Sequence, residues 1–168
     1  VDCEAALGRL LARYPQDPSG LALRGALSLR KRQPERARKL YEQAQKLGRD
    51  EFYLRLDLAR IALVEGKEDE AIEHLVRAKA MVPRYAGAGN PYLQLAKIYR
   101  KKGDAEASRR ELAQFVRLVA TDVEGRLQLA EDHLEAGEVE RALTYLQEAN
   151  QVMPYEVRVH RLLARALA

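Results

Sequence analysis

Small residues recur along this chain at a fixed register: Gly25, Ala59, Ala96, Ala130 and Ala164, spaced 34, 37, 34 and 34 positions apart. A small side chain inside an apolar helical stripe lets a neighbouring backbone come close. Recurrence at one period therefore means that one packing unit is stacked many times. Such a chain needs no single central core, only a run of local interfaces.

In register, the segments starting at Pro18, Phe52, Gly89, Val123 and Val157 share one pattern. Each holds an apolar stripe at i, i+3, i+4, i+7 spacing, and all but the last add a turn and a second such stripe, which predicts paired amphipathic helices. Gly66, Gly103 and Gly137 stand where a helix-ending glycine belongs, and Arg32 stands there in the first unit. Acidic residues follow at once, among them Glu68, Asp104 and Glu138, where the positive end of the next helix favours them. Leu, Ala, Arg and Glu dominate, all good helix formers, and Trp is absent. With 47% hydrophobic and 32% charged residues, the chain is an all-α candidate with little support for strands.

The second stripe repeats a small residue at Ala37, Ala71, Ser108 and Ala142. A larger apolar one follows at Tyr41, Leu75, Leu112 and Leu146, then Ala44, Ala78, Phe115 and Ala149, with Pro83 and Pro154 closing two units. The first stripe carries the pairs Leu58-Ala59, Leu95-Ala96, Leu129-Ala130 and Leu163-Ala164. This set resembles the tetratricopeptide-repeat (TPR) family. The departures are Arg24 in the first pair, Arg55 and Arg126 in place of an aromatic, and Arg49 and Ala120 in place of the closing Pro. The resemblance implies a right-handed α-solenoid of ten helices. Its units are 18–51, 52–85, 89–122 and 123–156, with half units at 1–17 and 157–168, and the whole is read as part of a longer protein. The three extra residues fall in the Gly-rich stretch between Arg84 and Pro91, read as a connection rather than a phosphate cradle.

Catalysis is not expected. His74, His133 and His160 form no metal-ligand pair, and no nucleophile, base and orienting group assemble. His133 and His160 read as packed rings and His74 as exposed. Cys3, the sole cysteine, takes a small-residue slot and reads as core, so neither a disulfide within the chain nor a cysteine metal site is available. No cofactor or metal is expected. No apolar run is long enough to span a bilayer, and cytoplasmic and periplasmic locations both remain open. The Arg-over-Lys, Ala-rich composition suggests a GC-rich bacterial source.

The net charge of +4 is unevenly spread: residues 1–51 hold 11 basic and 7 acidic side chains, and residues 123–156 hold 2 and 8. Two basic clusters stand out, Arg30 to Arg32 with Arg36, Arg38 and Lys39, and Arg100 to Lys102 with Arg109 and Arg110. Without interleaved aromatics they suit a solvated rim better than a nucleic-acid or anionic-lipid site.

The resemblance implies that first helices line a concave groove. The implied groove pairs are Ala22 and Ala26, Leu56 and Arg60, Leu93 and Lys97, Leu127 and Glu131, and Arg161 and Arg165. The Asn residues of a carboxylate clamp are absent at these sites. A Leu stripe flanked by charge suits a peptide or partner helix with apolar anchors, its acidic part near Arg60 and Lys97. The alternative is that these Leu residues pack against the next helix, since periodicity does not separate the two. The expected function is a protein–protein interaction scaffold; the alternatives are self-assembly within a larger protein, including end-to-end association, and basic-rim binding. At the ends, Leu7, Leu10 and Leu11 are expected to be partly covered, Leu163 and Ala164 packed, and Leu162 and Leu167 exposed.

Overall fold

A computed structural model describes residues 3–167, with Cys3 described in its backbone only, so the reading of that side chain as core lies outside the described part. Ten α-helices account for the regular structure among these residues: α1 (Cys3–Arg13), α2 (Pro18–Arg30), α3 (Pro34–Lys46), α4 (Phe52–Val64), α5 (Glu68–Met81), α6 (Pro91–Lys101), α7 (Ala105–Leu118), α8 (Val123–Glu135), α9 (Val139–Val152) and α10 (Val157–Leu167). The fold is an all-α helical-repeat solenoid. The chain divides into two compact units, residues 1–83 and 84–168.

In the first unit α2 pairs with α3 and α4 with α5. The pairing rests on volume matching. A Cβ on Gly25 would come within 2.7 Å of the Tyr41 ring, so only glycine fits opposite this aromatic. Further along, Ala59 and Leu75 are both buried at the equivalent positions. Leu7 and Leu11 of α1 are buried in the same core as Leu21 and Tyr41. The expectation of partial cover fails for these two because α1 lies directly on α2. Leu10, 41% exposed, keeps to it. It occupies the register of Ala44 and Ala78, whose helices have a first helix against that side.

In the second unit α6 pairs with α7 and α8 with α9, and α10 packs on α8 and α9. Val159 and Leu162 of α10 join Leu127, Ala130 and Leu146 in one cluster. Leu162 is thus buried, contrary to expectation, because its side of α10 faces the preceding pair. Ala164 is exposed, also contrary to expectation, because among the described residues no helix covers its side. Leu167 is exposed as expected.

Helix starts at Pro18, Phe52, Val123 and Val157 coincide with the repeat register. The third unit starts at Pro91, two residues after Gly89. There the Asn90 carboxamide oxygen accepts the Tyr92 and Leu93 amides at 2.9 and 3.3 Å and so fixes the helix start. The Gly-rich connection before it is filled by its own side chain. Tyr85 donates its hydroxyl to the Ala88 carbonyl at 2.9 Å, and that same hydroxyl lies 2.7 Å from where a Cβ on Gly87 would stand.

Each inner turn closes in the same way, with a six-to-one and a five-to-two backbone bond. Lys67 N donates to Ala62 O at 2.8 Å, and Gly66 N to Leu63 O at 3.2 Å. Gly66, Gly103 and Gly137 adopt φ of 74°, 80° and 74°, and Arg32 adopts 58° at the same position. The family's missing aromatic at Arg126 also has a physical replacement. Its buried guanidinium donates to the Val116 and Asp122 carbonyls at 3.1 and 2.7 Å and to Glu148 at 3.1 Å, joining the end of α7 to the start of α8.

Two outcomes follow for stability, both readable from urea unfolding midpoints. Gly25→Ala is expected to cost about 1–3 kcal/mol by overpacking. That cost should fall by about half or more in a Tyr41→Leu background, because the clash is with the ring; equal costs in both backgrounds would contradict the pairing. Arg32→Gly is expected to stabilise the chain by about 0.5–1 kcal/mol by relieving a left-handed non-glycine residue.

Candidate functional site

The first unit holds a cleft of about 360 Å³ between α2 and α4. Ala22 and Ala26 of α2 are small and leave it open, while Tyr53 and Asp57 of α4 form the opposite wall. Tyr41 of α3 makes the floor and donates its hydroxyl to Asp57 Oδ2 at 2.5 Å. Burial, and then this bond to the carboxylate, push the Tyr41 hydroxyl well above the usual phenol range, so it stays a donor. Arg60 binds Asp57 from solvent at 2.9 Å. At the open end, Arg49 donates to Ser19 Oγ at 2.6 Å and pairs with Glu51. Two apolar side chains stand at this cleft in water: Leu23 is 46% exposed and Tyr53 is 67% exposed. Phe52 supports the Tyr53 ring edge-on, with centroids 5.1 Å apart. A cleft with a small-residue wall, exposed aromatic and aliphatic anchors and a fixed acid can take an apolar side chain flanked by hydrogen-bond donors.

Of the expected groove residues, Ala22 and Ala26 line this cleft. Leu56 is half-buried and Arg60 exposed. Leu93 is half-buried against Ala96, Phe115 and Leu129, and Lys97 is exposed. Leu127 is a correction: at 1% exposure it is core, covered by Val159 and Leu162 of α10, so a ligand cannot reach it. Glu131 is half-exposed and lies 3.6 Å from the Arg158 guanidinium. Arg161 and Arg165 are exposed. Tyr53, Leu23 and Asp57 were not singled out by the sequence, because none lies at the register that the resemblance assigns to the groove.

The histidines resolve differently from one another. His133 is buried, stacked on Tyr145 and bonded through Nδ1 to Glu138 at 2.7 Å, as a packed ring should be. His160 is exposed rather than packed, and its Nε2 meets the Pro154 carbonyl at 2.7 Å. His74 is largely covered rather than exposed, because Arg55 donates to its Nδ1 at 3.0 Å and Glu70 lies 3.6 Å from its Nε2. Among the described residues no group of three or more His, Cys, Asp or Glu side chains is placed to hold a metal, and no helix is long and apolar enough to cross a membrane.

No family model matches the sequence, and no curated protein matches it. The fold matches those of solved TPR structures. One is YrrB, a TPR protein with an unusual peptide-binding site, at TM-score 0.69 and 14% identity over 95% of this chain and 81% of that one. A second is MamA, at TM-score 0.70 and 17% identity over 88% of this chain and 85% of that one. A third is PilF of Pseudomonas aeruginosa, at TM-score 0.67 and 15% identity over 97% of this chain and 73% of that one. The fold of this chain is therefore that of the tetratricopeptide-repeat proteins.

Burial, followed by the Arg55 cation, lowers the His74 pKa below its ordinary value of 6.5. The unfolded chain then binds this proton more readily than the folded one. The contribution is intact above about pH 6.5 and is lost as pH falls through the lowered folded value. Stability is expected to drop between pH 7.5 and pH 5.5, measured by urea midpoints, and to drop less in His74→Gln. Parallel curves for the two proteins would contradict this.

Proposed function

We propose that this chain is a non-enzymatic protein–protein interaction scaffold that takes an extended peptide or partner helix in the α2–α4 cleft. The observation that carries the reading is the cleft itself, with Leu23 and Tyr53 exposed beside Ala22 and Ala26 and above the Tyr41–Asp57 bond. A solvent-exposed Tyr on a rigid helix offers a large contact area at low entropic cost. The peptide-binding site of the structurally similar YrrB supports a peptide ligand here. Arg60 beside Leu56 in the first unit serves as a further contact that favours acidic residues in the ligand; Lys97 beside Leu93 offers a contact of the same kind within the second unit by itself. Leu127 has no part in this.

Panning a random peptide library against the intact chain tests the reading. Enriched peptides are expected to carry an apolar anchor and to lose about tenfold or more in affinity, roughly 1.4 kcal/mol, on Tyr53→Ala or Leu23→Ser. Both side chains are exposed, so the melting temperature should hold. Peptides that bind both variants unchanged would remove the cleft from the account.

Self-association is a second reading, favoured by the uncovered side of α10, where Ala164 is exposed and Leu167 is 74% exposed. Light scattering across a wide concentration range distinguishes it: a mass that grows with concentration, and does not grow in Leu167→Glu, would favour it over the peptide scaffold.

A further inference from the structure

The two units pair a repeated arginine differently, and the repeat supplies the comparison. In the first unit Arg38 of α3 is saturated by carboxylates. Its guanidinium meets Glu65 at 3.0 Å, Glu42 at 3.7 Å and Glu70 of α5. Moving along the register to the second unit, Arg109 of α7 takes the place of Arg38. Glu42 becomes Ala113, Glu65 becomes Ala136 and Glu70 becomes Arg141. All three acids are gone, and one is replaced by a second guanidinium.

Arg109 is half-buried, and its Nη1 donates to the Asp132 carbonyl at a long 3.4 Å. The Asp132 carboxylate is held by Arg100 at 2.5 Å. Arg109 acts on that carboxylate through space, and the contact it makes with Asp132 is to the backbone carbonyl. A partly desolvated cation whose nearby acid is bonded to another arginine is under-compensated, and a guanidinium fork is well matched to a carboxylate.

The vacated space is a cleft of about 380 Å³ between α7 and α9. Arg109 and Arg110 line it from α7 and Arg141 from α9, with Ala113 and Thr144 leaving it open. Its remaining walls are the exposed Glu106 and Tyr145, the latter stacked on the buried His133 with centroids 5.6 Å apart and ring planes within 6°. Arg141 is mostly exposed and shares Glu138 with His133, at 3.0 Å to Arg141 and 2.7 Å to the ring. Arg110 lies only 3.8 Å from Glu106, and both are exposed, so it too has donors to give.

We propose that this α7–α9 cleft is a binding site for an acidic segment of a partner polypeptide, with one Asp or Glu carboxylate seated between Arg109 and Arg141. The ligand supplies in trans what Glu42, Glu65 and Glu70 supply to Arg38 within the chain. The first unit shows that the chemistry which satisfies this position is a glutamate carboxylate, and the Ala113 and Thr144 opening admits one from outside. The site is separate from the α2–α4 cleft and does not depend on it.

The test is a titration of the intact, isotope-labelled chain at low salt with a blocked peptide of alternating Glu and Ala, followed by NMR. The expected result is saturable shifts at Ala113, Thr144 and the Arg109 side chain, weakened by about tenfold or more in Arg109→Gln and at raised salt. Ala113→Glu builds the acid of the first unit back into the cleft. It should weaken peptide binding to a similar degree without lowering the melting temperature, whereas a merely unfolded variant would lower it. The proposal is overturned if the Gln-for-Glu peptide binds equally well, or if both variants bind like the parent chain. It is also overturned if inorganic phosphate displaces the peptide at equal concentration, since a free anion would then be the occupant.

Discussion

The contact on which the rest of this structure depends is a small residue on one helix set against a large one on its partner. Gly25 against the Tyr41 ring is one close instance. The later pairs, Ala59 with Leu75, Ala96 with Leu112 and Ala130 with Leu146, are fully or almost fully buried. The trade is one of volume: the aromatic pairs with glycine and the aliphatic ones with alanine, so the helices stay close in every unit. In the first unit this packing also builds the candidate site. The ring that demands glycine at position 25 carries the hydroxyl that holds Asp57 in the α2–α4 cleft.

The same frame accommodates different charge chemistry because the outward positions of the second helices are not fixed by packing. Arg38 and Arg109 share a register position, yet one is enclosed by acids of its own chain and the other is not. Arg55 and Arg126 likewise share a position. The first binds Asp50 and His74, and the second bonds the Val116 and Val119 carbonyls at the end of α7 and the Asp122 carbonyl at the start of α8. Repetition gives the backbone, and substitution at the exposed register gives each unit its own surface.

The sequence carried the parts of this fold that repeat. The 34-residue spacing located the helix starts at Pro18, Phe52, Val123 and Val157, and the turn glycines mark the left-handed positions that the structure shows. It misplaced the third start because a capping bond is local: Asn90 next to Pro91 is an N-cap signal that the repeat register overrode. Leu127 was misread because periodicity reports which face is apolar and not which neighbour covers it, here α10. Tyr53 and Leu23 escaped for the opposite reason. A single exposed apolar residue has no period, and only the geometry of α2 against α4 gives it meaning. The terminal helices were misjudged residue by residue, since Leu7, Leu11 and Leu162 face an existing neighbour whereas Leu10 and Ala164 do not.

If local pairing governs the structure, protection must follow the number of helices packed around each element and not a single global core. Native-state hydrogen exchange, resolved by residue on the intact chain, measures this directly. The account predicts the slowest amides in α4 around Leu58 to Ala62 in the first unit and in α8 around Leu129 to His133 in the second. Protection should fall markedly in α10, where only one side is covered. Amides of 157–167 protected as strongly as those of 123–135 would contradict it.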